Sequence, residues 1–112
     1  MRLTSRNFPL EVEREKICEN CARRLPPASL EARICSYECT FCADCVEHVL
    51  DNVCPNCGGG FMQRPIRPAR NWKNENYLGK DPAGTRLKHR PVEARAHRLF
   101  AHKLRTIPPH AR

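Results

Sequence analysis

The stretch "CTFCADCVEHVLDNVCPNC", residues 39–57, places five cysteines within nineteen positions and decides the fold of this chain. Three more cysteines precede it, so that all eight lie between Cys18 and Cys57. Few large apolar side chains accompany them. A segment this short rarely buries enough apolar surface to offset its chain entropy without a metal, a disulfide or a partner. The cysteines are therefore predicted to form the centre of the fold.

The redox compartment determines what clustered cysteines do. The first residues, "MRLTSRNFPLEVEREK", contain no apolar run of signal-peptide length. No stretch of the chain approaches the roughly 18 apolar residues of a membrane span. These features predict a cytoplasmic protein, in which thiols stay reduced and clustered cysteines usually bind metal instead of forming disulfides.

The cysteines fall into four pairs with characteristic spacing. The order is C-x2-C, thirteen residues, C-x3-C, two residues, C-x2-C, eight residues and a final C-x2-C. Two residues between ligands allow a tight turn that directs both sulfurs at one ion, and zinc prefers four such ligands in a tetrahedron. The sequence therefore predicts two zinc ions, each held in a closed site by four structural cysteines.

Two ways of sharing the ions fit this spacing. The order of the pairs resembles the RING family, whose ligands run in interleaved pairs. The segment "CTFCADC" is similar to the middle segment of that family, with Cys39 where histidine is usual. The segment "CPNC" is similar to its closing pair. We favour this cross-brace because interleaving ties distant segments together in a chain without a large apolar core. The predicted ligands are Cys18, Cys21, Cys42 and Cys45 for site 1, and Cys35, Cys39, Cys54 and Cys57 for site 2. The alternative is a sequential, zinc-ribbon-like arrangement in which the first four cysteines bind one ion and the last four bind the other.

The local patterns agree with a small metal-stabilised α+β fold. "EARICSYECTFC" predicts a β-hairpin with its turn near residues 36–38. "ADCVEHVLDN" predicts a short helix that ends near Asp51 or Asn52 and carries Cys45 in its first turn. A hairpin followed by a ligand-bearing helix is the plan of a RING-like or treble-clef module. The residues expected to pack around the metal sites are Phe41, Val46, Val49 and Leu50.

A longer stretch, residues 10–68, resembles a family of short bacterial cysteine-rich proteins, the domain of unknown function twelve seventy-two. The shared motifs are the diproline before the hairpin, "EARIC", "ECTFCADC" and "CPNCGG". The resemblance implies a bacterial source and a metal-binding module, and it assigns no activity.

The formal net charge of +8 conceals two unlike halves. Residues 1–60 carry seven Lys/Arg against nine Asp/Glu, a net of −2, whereas residues 61–112 carry thirteen against three, a net of +10. Apolar residues from Val92 to Ile107 recur at helical spacing and predict a basic amphipathic helix. We expect it to dock weakly on the zinc module or on a second copy, and we expect truncation after Pro68 to leave the module folded. The predicted organisation is an N-terminal tail (1–9), a zinc-binding module (10–68), a basic flexible linker (69–90), the amphipathic helix (91–107) and a C-terminal tail (108–112).

The functional prediction is a non-enzymatic zinc protein, a small adaptor or regulator with an unknown protein partner. No catalytic serine–histidine–aspartate order, phosphate-binding glycine loop or paired carboxylates stand out. The alternative is a nucleic-acid-binding regulator, because arginines in the basic half would contact phosphates. The arginines expected in that role are Arg64, Arg67, Arg70, Arg95, Arg98 and Arg105.

Two sharper hypotheses are disfavoured. RING ligases usually place an aliphatic residue inside the first pair and a basic residue after the last cysteine, where this chain has Glu19, Asn20 and Gly58. Redox catalysis needs a reactive thiol, and four pairs that saturate two ions leave none. His48 is expected to be a surface residue and not a metal ligand.

Overall fold

A computed structural model of the chain describes residues 17–82 and 88–112. The predicted N-terminal tail, the first residues of the predicted zinc module and residues 83–87 of the predicted linker lie outside these ranges. The described residues form a three-stranded antiparallel sheet, two α-helices and a short 3-10 helix at Pro109–Ala111. No helix in the two ranges combines the length and apolarity needed to cross a membrane.

The sheet is built on the predicted hairpin. Strand β1 (Ala32–Ile34) pairs with β2 (Thr40–Cys42), so that Arg33 faces Phe41. The turn between them closes through the Glu38 amide, which donates to the Cys35 carbonyl oxygen over 2.9 Å. Strand β3 (Met62–Gln63), which the sequence did not predict, pairs with the other edge of β1 and completes the order β2-β1-β3.

Helix α1 (Ala43–His48) follows β2 without a loop. Its buried face carries Cys45 and Val46, and Cys45 lies in the first turn as predicted. The helix ends at His48, earlier than the sequence indicated, and the left-handed φ angles of Asp51 and Asn52, 54° and 57°, rule out a continuation through these residues.

Cysteine makes up much of the core. Phe41 is almost fully buried in it, and its ring meets that of Phe61 edge to face with 5.5 Å between centroids. Val46 and Leu50 are buried as predicted, and Val49 is partly buried against the same cluster. The cysteines in this cluster are Cys18, Cys35, Cys39, Cys42, Cys45 and Cys54. A core with so few large apolar residues agrees with a fold that depends on its sulfurs.

The C-terminal segment, residues 88–112, packs against the cysteine-rich part. Helix α2 (Ala94–Leu104) is shorter than the predicted 91–107 because Glu93 caps it, its carboxylate accepting from the amides of residues 95 and 96. The buried His97 places Nε2 2.9 Å from the Leu50 carbonyl oxygen. At the C-terminal end of this segment, the Arg112 guanidinium donates to the Asn52 carbonyl oxygen over 2.9 Å.

The described part of the predicted linker is a hydrogen-bonded loop. The Leu78 amide donates to the Pro68 carbonyl oxygen over 2.7 Å, and the Arg67 guanidinium donates to the Asp81 carbonyl oxygen over 2.7 Å. These contacts close the ends of the loop on each other, and Trp72 is exposed on it. The domain boundaries drawn from the sequence stay a prediction.

Candidate metal centre

The first and last cysteine pairs lie in two turns with the same backbone geometry, here called knuckle 1 (residues 18–23) and knuckle 2 (residues 54–59). In knuckle 1, the Cys18 amide donates to the carbonyl oxygen of residue 23 over 2.8 Å and the Ala22 amide to that of Cys18 over 2.9 Å. In knuckle 2, the two equivalent bonds both measure 2.8 Å. Ala22 and Gly58 follow the second cysteine of each pair and have left-handed φ angles of 66° and 81°. The repeated C-x2-C spacing thus produces one local structure twice.

Four sulfurs meet at site 1. Knuckle 1 supplies two, and the junction between β2 and α1 supplies two more, so that four Sγ atoms lie within 4.8 Å of one another. Cys21 and Cys42 are 3.8 Å apart at Sγ. A tetrahedral zinc with metal–sulfur bonds of about 2.3 Å requires sulfur–sulfur edges of about 3.8 Å. The residues at this site, Cys18, Cys21, Cys42 and Cys45, therefore fit a tetrahedral ion, and their thiolates are the soft ligands that zinc accepts.

Three of the four cysteines predicted for site 2 come together. The sulfurs of Cys35, Cys39 and Cys54 lie within 4.8 Å of one another. Cys57 is exposed and lies outside this group, and its Sγ accepts a hydrogen bond from the Gly59 amide at 3.4 Å. The sulfurs that meet at both sites follow the interleaved order of pairs and not the sequential one. Which ions they bind stays a prediction.

Two asparagine side chains donate to the sulfurs, a role that the sequence analysis missed. Asn20 Nδ2 lies 3.3 Å from Cys45 Sγ at site 1, and Asn56 Nδ2 lies 3.3 Å from Cys39 Sγ at site 2. Both asparagines hold the same position in their knuckles, before the second cysteine of "CENC" and "CPNC". That repetition was the available signal. Such donors orient ligands and offset the negative charge of a tetrathiolate.

Backbone amides also donate to the sulfurs at both sites. The Tyr37 amide lies 3.3 Å from Cys35 Sγ, and the Asn56 amide lies 3.4 Å from Cys54 Sγ. In knuckle 1, the Cys21 amide lies 3.5 Å from Cys18 Sγ. Because hydrogen bonds to the charged form favour ionisation, the turns prepare these thiols to act as thiolate ligands.

The metal-free clusters do not ionise uniformly. Burial is the largest single influence on the pKa of Cys42 and opposes ionisation, but hydrogen bonds from the Cys45 amide and from neighbouring thiols outweigh it and lower that pKa. At site 2, burial is again the largest single influence on the pKa of Cys35 and acts to raise it. Hydrogen bonds, first that from the Tyr37 amide, outweigh burial and lower this pKa. The thiols whose pKa burial raises are Cys18, Cys39, Cys45 and Cys54. Each site therefore holds one thiol that ionises readily beside others whose protons a metal must displace.

Comparison with known proteins finds similar sequences for the part of the chain that carries the cysteines. A family profile described as a protein of unknown function (DUF1272) matches residues 11–67, half of the chain and all eight cysteines. The chain belongs to the DUF1272 family. An uncharacterised protein of Rhizobium meliloti is 53% identical over 68 residues, which cover 61% of this chain and 74% of that protein. No solved structure matches the chain.

The DUF1272 segment includes one arginine whose placement corrects the sequence analysis. Arg64 was expected to contact phosphates, but it is only 1% exposed and its Nη2 donates to the carbonyl oxygens of Leu25 and Pro26 over 3.1 and 2.8 Å. In this position the guanidinium satisfies backbone acceptors and holds the chain before β1 against the segment after β3. Arg64 is therefore unavailable to a phosphate.

The other residues singled out from the sequence lie on the surface or near it. Arg67 is half-buried beside Asp81, and the Arg105 guanidinium lies 3.8 Å from the Asp51 carboxylate. His48 is exposed outside both DUF1272 cysteine groups, 3.8 Å from the Glu47 carboxylate. The arginines that remain exposed are Arg70, Arg95, Arg98 and Arg105.

Proposed function

We propose that this protein is a non-enzymatic zinc protein in which two ions in cysteine sites hold a small scaffold that serves as an adaptor or regulator. The observation that carries the proposal is the convergence of four sulfurs within 4.8 Å from segments as distant as Cys18 and Cys45. Four thiolates leave a zinc ion no open position for substrate or water, which is the arrangement of structural sites. Each such ion contributes on the order of 10 kcal/mol to folding.

The proposed architecture is a RING-like or treble-clef module. In support, β2 ends at one site 1 ligand, Cys42, and α1 begins directly after it with another, Cys45, in its first turn. Site 2 uses the turn of the same hairpin, between Cys35 and Cys39. An ion at either site would fix one end of this hairpin and leave the module surface free for a partner.

Metal analysis of the purified full-length protein tests the proposal. Elemental mass spectrometry is expected to find two zinc ions per chain, and a thiol reagent is expected to find no rapidly reacting cysteine under native conditions. One ion with several reactive thiols would instead support a redox role for the cysteines of the second site. A chain that folds without metal would contradict the structural role of both ions.

A second candidate function is nucleic-acid binding through α2. In support, Arg95, Arg98 and Lys103 are exposed on this helix, in a half of the chain with a net charge of +10. Nothing in this surface indicates recognition of particular bases, so the affinity would come from phosphate contacts and fall steeply with salt.

The test compares Arg98→Gln with Arg24→Gln. Arg24 is an exposed arginine directly after knuckle 1, so its substitution removes the same charge outside α2 and serves as the control. We expect only the first variant to weaken binding of a short DNA duplex and to reduce the dependence of the affinity on salt. Equal effects of the two variants would indicate a response to net charge alone and remove this candidate.

A further inference from the structure

A cleft of about 300 Å³ opens between knuckle 2 and the start of α2. Its apolar wall includes Phe41, Pro55, Val92 and Phe100. This volume is at the lower end of the range for ligand pockets, so the cleft suits a single side chain better than a cofactor. It is distinct from both groups of cysteine sulfurs.

A buried carboxylate stands in the wall of this cleft. Glu19 is 1% exposed, and its Oε2 accepts a hydrogen bond from the Thr40 amide over 3.0 Å. Its second oxygen, Oε1, accepts no hydrogen bond from any described residue, and Glu19 forms no ion pair in those ranges. Because burying a charge without a partner is unfavourable, this oxygen has the environment of a ligand-binding group.

The neighbouring polar groups in the wall also present acceptors. His97 is 4% exposed, and its Nε2 faces the Leu50 carbonyl oxygen, which can only accept. Nε2 therefore carries the proton, and in the neutral ring Nδ1 is left as an acceptor. Asn56 uses its amide nitrogen on Cys39 Sγ, which leaves Oδ1 as its acceptor. Each group thus presents an acceptor, and Asn56 keeps one further amide proton that it can donate.

The charges at the rim are mixed, and this bears on what the cleft can bind. Arg90 and Glu93 both line it, and Glu93 is occupied in capping α2. With Glu19, the three give a net charge of −1 in the cleft. A ligand with hydrogen-bond donors and a positive charge is favoured, and Arg90 opposes it.

We propose that this cleft binds the protonated side chain of a lysine from a partner protein. The ammonium group contacts Glu19 Oε1, and the aliphatic stem packs against Phe41, Val92 and Phe100. An ammonium offers three donors and no acceptor, which matches a wall of acceptors. The inference names a partner chemistry for the proposed adaptor role and rests on it.

The experiment is an NMR titration of the zinc-loaded, full-length protein with n-butylammonium, and with n-butanol as the neutral analogue of the same length. We expect butylammonium to shift the resonances of Phe41, Val92 and Phe100 in a saturable way, and butanol to do so far more weakly. A short peptide with one lysine, compared with the same peptide carrying norleucine, then distinguishes a protein side chain from a free amine as the ligand.

Three variants make the assignment specific. Glu19→Gln keeps the oxygen that accepts from Thr40 and should lower the affinity for butylammonium about tenfold, whereas Glu47→Gln, an exposed carboxylate outside the cleft, should leave it unchanged. Arg90→Gln should raise the affinity. Zinc content and melting temperature are measured on every variant. A protein that lacks two zinc ions would contradict the proposed function and would not count against lysine binding in the cleft. Equal binding of butanol and butylammonium, no saturable shift, or full affinity in Glu19→Gln overturns the proposal.

Discussion

Ala22 and Gly58 occupy the same position in the two knuckles and differ in how well they suit it. Both have left-handed φ angles, 66° and 81°, which glycine adopts freely and alanine does not. At Gly58, a Cβ atom would also lie 3.1 Å from Leu104 Cδ1. The chain is thus strained at one knuckle and relaxed at the other.

Replacing Ala22 by glycine and replacing Gly58 by alanine should have opposite effects on stability. We expect Ala22→Gly to be neutral or to stabilise by up to about 1 kcal/mol, and Gly58→Ala to destabilise by about 1–3 kcal/mol. Chemical denaturation of the metal-loaded variants measures both free energies of unfolding. Equal destabilisation by the two changes would mean that the knuckles do not share the geometry described.

Asn20 connects site 1 to the C-terminal segment. Its Nδ2 donates to Cys45 Sγ, and its Oδ1 accepts from the Val92 amide over 2.7 Å. We expect Asn20→Ala to lower zinc affinity about tenfold and to speed hydrogen exchange of the Val92 amide. Asn56→Ala, which removes the equivalent donor at site 2, should lower zinc affinity without changing exchange at Val92. Chelator competition and exchange NMR measure the two effects.

Helix α2 is attached to the cysteine-rich module by one buried histidine as well as by apolar contacts. His97 contacts the Leu50 carbonyl oxygen, and the side chains of Phe100 and Leu104 lie beside Gly58 of knuckle 2. Ala101 is fully buried one turn further on. These contacts lead us to expect that truncation after Pro68 destabilises the module, contrary to the expectation from the sequence alone.

Substitution of two histidines on α2, one buried and one exposed, measures how much this attachment contributes to stability. His97→Ala removes a buried hydrogen bond and leaves a carbonyl group unsatisfied, so we expect a loss of about 2 kcal/mol in the free energy of unfolding. His102→Ala, at an exposed position of the same helix, should change it by less than about 0.5 kcal/mol. Thermal denaturation of both variants provides the comparison, and a difference near zero would show that α2 contributes little.

At the scale of the whole molecule, the two cysteine sites are unequal. Site 1 gathers all four predicted ligands, whereas Cys57 stands outside the site 2 group. We expect Cys42→Ser to release an ion and abolish the fold, and Cys57→Ser to weaken only the second ion. Zinc content together with circular dichroism separates the two outcomes. A folded Cys42→Ser protein with both ions would refute the assignment of Cys42.

Acidification should release metal from the whole module. Burial raises the pKa of Cys18 and Cys45 at site 1, so the metal-free thiols hold their protons at neutral pH and zinc must displace them. Affinity therefore rises with pH and falls as pH falls. Because the β1–β2 hairpin carries ligands of both sites, we expect loss of both ions in one cooperative transition, observed by zinc release during a pH titration. Two separate transitions would show that the sites are independent.

What the sequence determined by itself was local. A C-x2-C pair dictates a tight turn whatever surrounds it, so the two knuckles, the hairpin and a short helix carrying Cys45 could be predicted from residue spacing. The family could also be recognised from continuous motifs such as "ECTFCADC" and "CPNCGG". None of these features needs contacts between distant residues.

The order of the cysteine pairs favoured the interleaved arrangement and left the sequential one open, and the tertiary structure decided between them. It brought Cys18 and Cys21 to Cys42 and Cys45, kept Cys57 outside its group, and buried Arg64 against backbone carbonyls. It also placed α2 over Leu50 and created the cleft beside Glu19. Spacing along a chain cannot specify such contacts, because they depend on how knuckles, hairpin and helices pack in three dimensions.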